Sequence, residues 1–407
     1  MFAVADTEKL VADGIITPLQ AKEITNRARD AMITLAVNSV LCLGILAATA
    51  GFILWLANPV AVALLGSLML AGGIAILARG ANMVRMFGNA ASLIGAGLLL
   101  GGGTVELLMN FEHSAGWIMT AVGAITTALS ALALTRKSAA AGFVIGAILL
   151  MGVGLHLFGL GFLFYQFDLF GAVKAGFFLY AFAVIAGAGW FTDVRLITAL
   201  SIVPFAQALD TGTEYFHAAY VFYSPEPVLS ILQLSALIAL CLWIAARRPG
   251  QVARHAGILA ILAFIVANMS ALVGSLWGNT VGETIWGPEY SDFSGTDGQS
   301  DFEQYQAAQE AFRDMSLHIS ANVFSVLWAI ALVAIVFWAA HRNKRGLFNA
   351  AMTFGAIHAY TQFFESFADE PLAYVIGGLA AIPLAWGMWR LNATMLAKSH
   401  PLADRPI

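Results

Sequence analysis

Long apolar stretches and short polar breaks alternate along the whole chain, and the length of the apolar stretches is their most informative property. A helix needs about 20 apolar residues to cross the hydrocarbon core of a bilayer. Windows of that size fall at 33–56, 60–78, 88–109, 116–134, 139–163, 169–191, 195–217, 228–246, 256–277, 318–340, 346–367 and 372–390. The pattern predicts an all-α, polytopic transmembrane helix bundle of about twelve spans. The seventh window differs from the others: only Leu196 to Leu209 is continuously apolar, and Pro204 interrupts it.

The polar breaks orient the spans. With the N-terminus cytoplasmic, the cytoplasmic segments hold Lys9, Lys22, Arg27, Arg29, Arg79, Arg85, Arg136, Lys137, Arg195, Arg247, Arg248, Arg254, Arg342, Lys344, Arg345, Arg390, Lys398 and Arg405. Of the 20 Lys and Arg residues only Lys174 and Arg313 fall on the other side. Basic residues resist translocation, so both termini are expected inside, and an even number of crossings keeps the bias intact. Residues 1–32 then form a cytoplasmic leader, 33–390 the transmembrane domain and 391–407 a cytoplasmic tail.

Composition agrees. The 407 residues are 60% hydrophobic and 11% charged, against about a quarter charged in soluble domains. The net charge of −4 gives no argument for nucleic acid. Cys42 and Cys241 both lie in apolar runs, so neither a disulfide framework nor a zinc cluster is expected, and no cofactor is implied. The first apolar stretch follows a charged segment without a small-residue cleavage site, so it reads as an uncleaved first span.

The leader is expected to form two short helices within residues 7–31. The first carries Leu10 and Val11 and stops at Gly14; Thr17, Pro18 and Gln20 then make a capping-box start. Glu23 and Arg27 form an i,i+4 pair, and Ile15, Ile16, Leu19 and Ile24 would close the helices on each other. Such a leader serves either to dock a partner or to stop and orient the first span. The longest outer loop, 278–317, is acidic. Its first half is rich in Gly, Ser and Asp; its second half places Phe302, Tyr305, Ala308, Phe312 and Met315 on one helical stripe. That stripe fits an amphipathic helix on the outer interface or a helical lead into the tenth span.

The leader "LVADGIITPLQAKEI" resembles the opening of an uncharacterised family of bacterial multi-span proteins, a domain of unknown function. The tail from Phe348 to Asn392 is similar to the closing hairpin of the same group, where an aromatic residue and an acid end one helix and a Gly-Gly pair opens the next; here these are Phe364, Glu365, Gly377 and Gly378. The resemblance implies a bacterial inner membrane and supplies no activity.

Three helices share a pattern of Arg, a small or amide residue, Ala and then Gly-Ala. They start at Arg85 (Asn89, Ala90, Gly95, Ala96), Arg136 (Ala140, Ala141, Gly146, Ala147) and Arg345 (Asn349, Ala350, Gly355, Ala356). The pattern reads as a helical-hairpin repeat, or as the basic-residue bias combined with small residues at helix contacts, with Gly97, Gly101, Gly142 and Gly146 marking such contacts. Glu106, His156 and Glu365 follow at matched distances, roughly 25 Å along each helix at 1.5 Å per residue.

Ionisable groups in a bilayer are costly and are functional candidates by default. Besides Glu106, His156 and Glu365, the seventh window carries Gln207, Asp210, Glu214 and His217, which share one face of a continuous helix. In the eleventh, His358, Gln362 and Glu365 share a face; a His and a carboxylate so placed can carry protons or hold a polar solute. The bland alternative is that these groups meet water near the outer headgroups. Glu214 and His217 form a single Glu-x-x-His where a carboxylate metal bundle needs two, so no metal is expected. The sequence holds no Gly-x-Ser-x-Gly, His-Glu-x-x-His, P-loop or Cys-x-x-Cys. The readings, in order, are a permease-like protein for a small polar solute, with lipid and solute or protons as partners; a non-catalytic subunit or sensor with a membrane-protein partner; and an enzyme on a lipid-linked substrate using carboxylates near Glu214 and Glu365.

Overall fold

The computed structural model describes residues 7–56, 58–79, 85–136, 142–169, 171–216, 219–288, 293, 298–342, 344–367 and scattered residues between 370 and 390. It divides into two compact units, residues 1–169 and 170–407. The first holds α1 (Thr7–Ala12), α2 (Pro18–Leu56), α3 (Pro59–Arg79), α4 (Arg85–Asn110), α5 (Glu112–Thr135) and α6 (Gly142–Gln166). The second holds α7 (Ala172–Thr192), α8 (Arg195–Leu200), α9 (Ile202–Gln207), β1 (Gly212–Phe216), β2 (Ala219–Tyr223), α10 (Pro227–Arg247) and α11 (Gln251–Trp277). It continues with β3 (Asn279–Thr280), α12 (Glu283–Trp286), α13 (Gly298–Met315), β4 (His318–Ile319), α14 (Ala321–His341) and α15 (Arg345–Phe367).

The protein is an all-α integral membrane protein. Among the described residues eight helices are long and apolar enough to span a bilayer: α3, most of α4, α5, α6, α7, α10, α11 and α14. They match the expected second to sixth and eighth to tenth windows. Large apolar side chains stand exposed along them, as Val326, Leu327, Ile330, Val333 and Phe337 do on α14, a surface that suits lipid and not water. The eleventh window is helical as α15, the first is the C-terminal part of α2, and most of the twelfth lies outside the described residues.

In the leader the capping box forms: Thr17 Oγ1 accepts from the Gln20 amide at 3.2 Å and Gln20 Oε1 accepts from the Thr17 amide at 2.9 Å. Glu23 and Arg27 pair at 2.7 Å. The second leader helix does not stop before the membrane, however. No proline follows Pro18 and no glycine precedes Gly44 in α2, so leader and first span run as one helix of 39 residues. Of the apolar leader residues expected to close on each other, Ile16 is half-buried, whereas Ile15, Leu19 and Ile24 remain 65%, 81% and 42% exposed.

Two helical hairpins build the rest of unit 1, α3 with α4 and α5 with α6, and both are zipped by glycines spaced seven apart. On α3 these are Gly66 and Gly73, and on α4 Gly88, Gly95 and Gly102; a Cβ on Gly95 would lie 2.3 Å from the Leu70 amide nitrogen, and one on Gly66 2.4 Å from that of Leu99. On α5 and α6 they are Gly116, Gly123, Gly152 and Gly159; a Cβ on Gly123 would lie 2.3 Å from the His156 nitrogen. Only glycine lets two helix backbones approach this closely. The contacts expected at Gly142 and Gly146 do not form, since both face open space, and Gly101 meets only the tip of Ile53. The four-residue spacing put these glycines on a face that the seven-residue seam leaves outside.

In unit 2, α11 is central. One apolar cluster joins it to α9 and α10 through Ile202, Leu234, Leu237, Cys241, Leu259 and Ala263; a second joins it to α14 and α15 through Ala271, Trp328, Leu332, Ala351 and Phe354. The ribbon of β3 and β4 pairs Asn279 with Ile319 and Thr280 with His318, which brings the start of α14 beside the end of α11. α13 therefore ends before α14 begins and is a separate helix, tied to α12 by Arg313 and Gln309 on Glu283 at 3.1 and 3.4 Å.

Candidate functional site

The seventh window departs most from expectation. Its helix breaks between Leu200 and Ile202 because Pro204 has no N–H for the Leu200 carbonyl. It then ends in a left-handed residue, Asp210, with φ 54°. There the Thr211 amide reaches back to the Ala206 carbonyl and the Asp210 amide to that of Gln207, a Schellman closure. The chain next turns into a β-hairpin in which Thr213 faces Phe222 and Glu214 faces Val221. Gln207, Asp210 and Glu214 thus do not share a helical face. Gln207 covers Gly212 and Asp210 forms an ion pair with Lys174 at 2.6 Å. Glu214 is a strand residue whose side chain lies outside the described set, as does the whole of His217.

The broken segment nevertheless makes polar contacts at both of its ends. At its start Thr198 Oγ1 meets His255 Nδ1 at 2.7 Å, and His255 Nε2–H donates to Asp193 Oδ1 at 3.0 Å. Arg254 also holds Asp193, at 3.1 Å. The hydrogen bond from His255, with Arg254 behind it, keeps the Asp193 carboxyl below the usual aspartate range. At the other end the Phe205 carbonyl, left over by the helix end, accepts from Gln233 Nε2 at 2.7 Å. Thr211, Ser224 and Ser230 then form a buried hydroxyl cluster, with Ser224 and Ser230 3.0 Å apart. Backbone groups freed inside a membrane must be satisfied by neighbours, and Gln233 of α10 does so here for the Phe205 carbonyl.

The second polar region lies between α11, α14 and α15. Asn268 is nine residues before Trp277, the last residue of α11, which puts it about 14 Å below that end at 1.5 Å per residue. Its Oδ1 accepts from Trp328 Nε1 at 3.0 Å, and its Nδ2 donates to the Phe264 carbonyl at 2.8 Å. The His358 ring meets the Trp328 ring edgewise, centroids 4.6 Å apart. His358 Nδ1 is buried and has no hydrogen-bond partner among the described residues. One to two turns toward the α12 end, Ser325 Oγ and Gln362 Nε2 approach the Ser275 carbonyl at 3.4 and 3.5 Å. That carbonyl belongs to the last turn of α11 and has no helical donor of its own. Glu365, a further turn on, is exposed.

Of the residues read from the sequence, His358 and Gln362 enter this seam and Glu365 lies exposed one turn beyond it. Asn268, Ser275, Ser325 and Trp328 have no ionisable residue beside them on their own helices to mark them in the sequence; Asn268 as the only amide side chain in the apolar part of α11 is the available signal. Glu106 and His156 belong to unit 1. His156 Nδ1–H donates to the Thr120 carbonyl at 2.9 Å across the glycine seam. Glu106 accepts from Asn110 at 2.8 Å on the wall of a cleft otherwise lined mainly by aliphatic side chains. Tyr165, Tyr223, Trp277 and Trp286 are exposed. No family model, curated protein or solved structure matches this chain.

Proposed function

We propose that the protein is a permease-like carrier of a small polar solute, with the solute held in the seam of Asn268, Ser275, Trp328, His358 and Gln362. The observation that carries this reading is His358 Nδ1, a buried ring nitrogen without a protein partner. Leaving such a group unpaired costs roughly 1–3 kcal/mol, which a bound polar molecule would recover. The broken crossing segment of α8 and α9 supports it, since discontinuous helices are a recurrent device of carriers. The distribution of Lys and Arg supports cytoplasmic termini, and the resemblance of the two chain ends supports a bacterial inner membrane.

The test is cysteine accessibility in a background with Cys42→Ala and Cys241→Ala. Ser275→Cys, Ser325→Cys and Gln362→Cys should each react with a membrane-impermeant thiol reagent from the side of the α12–α13 loop, as a Glu303→Cys control does. If all three stay inert while the control reacts, water does not reach the seam and the reading fails.

A second reading, a subunit or sensor of a larger complex, draws on the exposed apolar leader residues Ile15, Leu19 and Ile24. A stoichiometric partner lost on Leu19→Glu would favour it over the first.

A further inference from the structure

The cleft on which Glu106 sits is in unit 1, between α3, α4, α5 and α6, and is separate from the seam. It has a volume of about 460 Å³, in the range of small-ligand sites. Its wall is formed by aliphatic side chains such as Leu99, Leu107, Met119 and Leu155 together with Gly103. Glu106 is the one ionisable residue among its lining residues. The lining on α4 runs from Leu99 to Leu107, about 12 Å of helix, and that on α5 from Met119 to Thr126, about 10 Å. These are lengths that suit one stretch of hydrocarbon chain.

The position of the carboxylate is the informative part. Glu106 lies one turn from the end of α4 at Asn110, next to the polar break Asn110, Glu112, His113 and Ser114 that ends this apolar stretch. One oxygen accepts from Asn110; the other has no protein partner among the described residues. The neighbouring Val105, Met109 and Val122 are exposed in the lipid-facing manner, so the cleft is continuous with the surface that the acyl chains of the membrane touch.

We infer that this cleft binds one chain of an amine-headed membrane lipid, its ammonium group on Glu106 and its hydrocarbon along Leu99 and Met119. The charge selects the head: an ammonium forms a charge-assisted hydrogen bond with the free carboxylate oxygen, a quaternary head has no N–H to give, and an acidic head is repelled. This inference is independent of the carrier reading, because no residue of the seam takes part.

The experiment uses the full chain in nanodiscs of phosphatidylcholine and spin-labelled lipids of one tail with an ethanolamine, choline or free carboxylic head. The ethanolamine probe should bind about tenfold more tightly than the choline probe, the low end for a hydrogen bond to a charged group, and the acid more weakly still. Glu106→Gln should abolish the ranking while leaving tail binding. Gly103→Leu should weaken all three probes, and because a Cβ at Gly103 meets nothing within 4 Å it is expected to fold; Val122→Phe is the second blocking variant. Equal binding of the three heads, a ranking that survives Glu106→Gln, or probe binding unchanged in whichever blocking variant folds would each overturn the inference.

Discussion

Among the described residues three aspartates close helices from the left-handed region, Asp168, Asp193 and Asp210, with φ of 47°, 53° and 54°. Glycine is the usual residue at that position and aspartate accepts some strain there. At Asp193 and Asp210 the side chain explains the choice, since Asp193 holds the Arg254 guanidinium and the His255 ring of α11 and Asp210 holds the Lys174 ammonium of α7. The carboxyl of Asp193 is held below its unfolded value near 3.9, so it contributes stability above that value and loses it as pH falls through the folded one. The acid limb of the melting temperature between pH 5 and 3 should therefore be shallower in Asp193→Asn than in the wild type. Matching acid limbs would show that the His255 and Arg254 contacts carry no linkage. Asp193 was hidden from sequence reading because a single aspartate after Gly189, Trp190 and Phe191 looks like any loop acid; its role appears only once α11 delivers His255 to it.

Among the helices, the glycine seams determine how the hairpins of unit 1 pack. Gly95→Leu and Gly123→Leu would drive side chains into the facing backbone of Leu70 and His156, and overpacking of this kind costs about 3 kcal/mol. Gly146→Ala, facing open space, should be neutral or stabilise by up to about 1 kcal/mol, since alanine favours helix over glycine. Melting of the purified variants in one detergent checks both; equal effects at Gly95 and Gly146 would remove the seam. The seven-residue spacing was present in the sequence, yet so were many other glycine pairs, and only the facing helix tells which are contacts. The seventh segment shows the opposite limit. Its helical spacing was real on paper, but Pro204 and the αL turn at Asp210 stop the helix, and the Tyr220 to Tyr223 strand pairs with Gly212 to Tyr215 instead.

For the whole molecule, the distribution of 18 of the 20 basic residues predicts where both ends lie. Green fluorescent protein fused after Ile407 should fluoresce, and alkaline phosphatase fused after Ser300 should be active, if the termini are cytoplasmic and the α12–α13 loop is outside. Finding the two termini on opposite sides of the membrane would overturn the orientation. The broken seventh segment still joins the Arg254 contact of Asp193 to the Lys174 contact of Asp210 at its two ends.

Membrane insertion, the places of eight spans and the capping box at Thr17 follow from sequence alone, because they depend on local quantities: the hydrophobicity of a 20-residue window and hydrogen bonds within one turn. The polar seam around His358, the aspartate grips and the choice of glycines needed the folded chain. Each is a meeting of side chains far apart in sequence, and whether a buried polar group finds a partner is decided by the helix that packs against it.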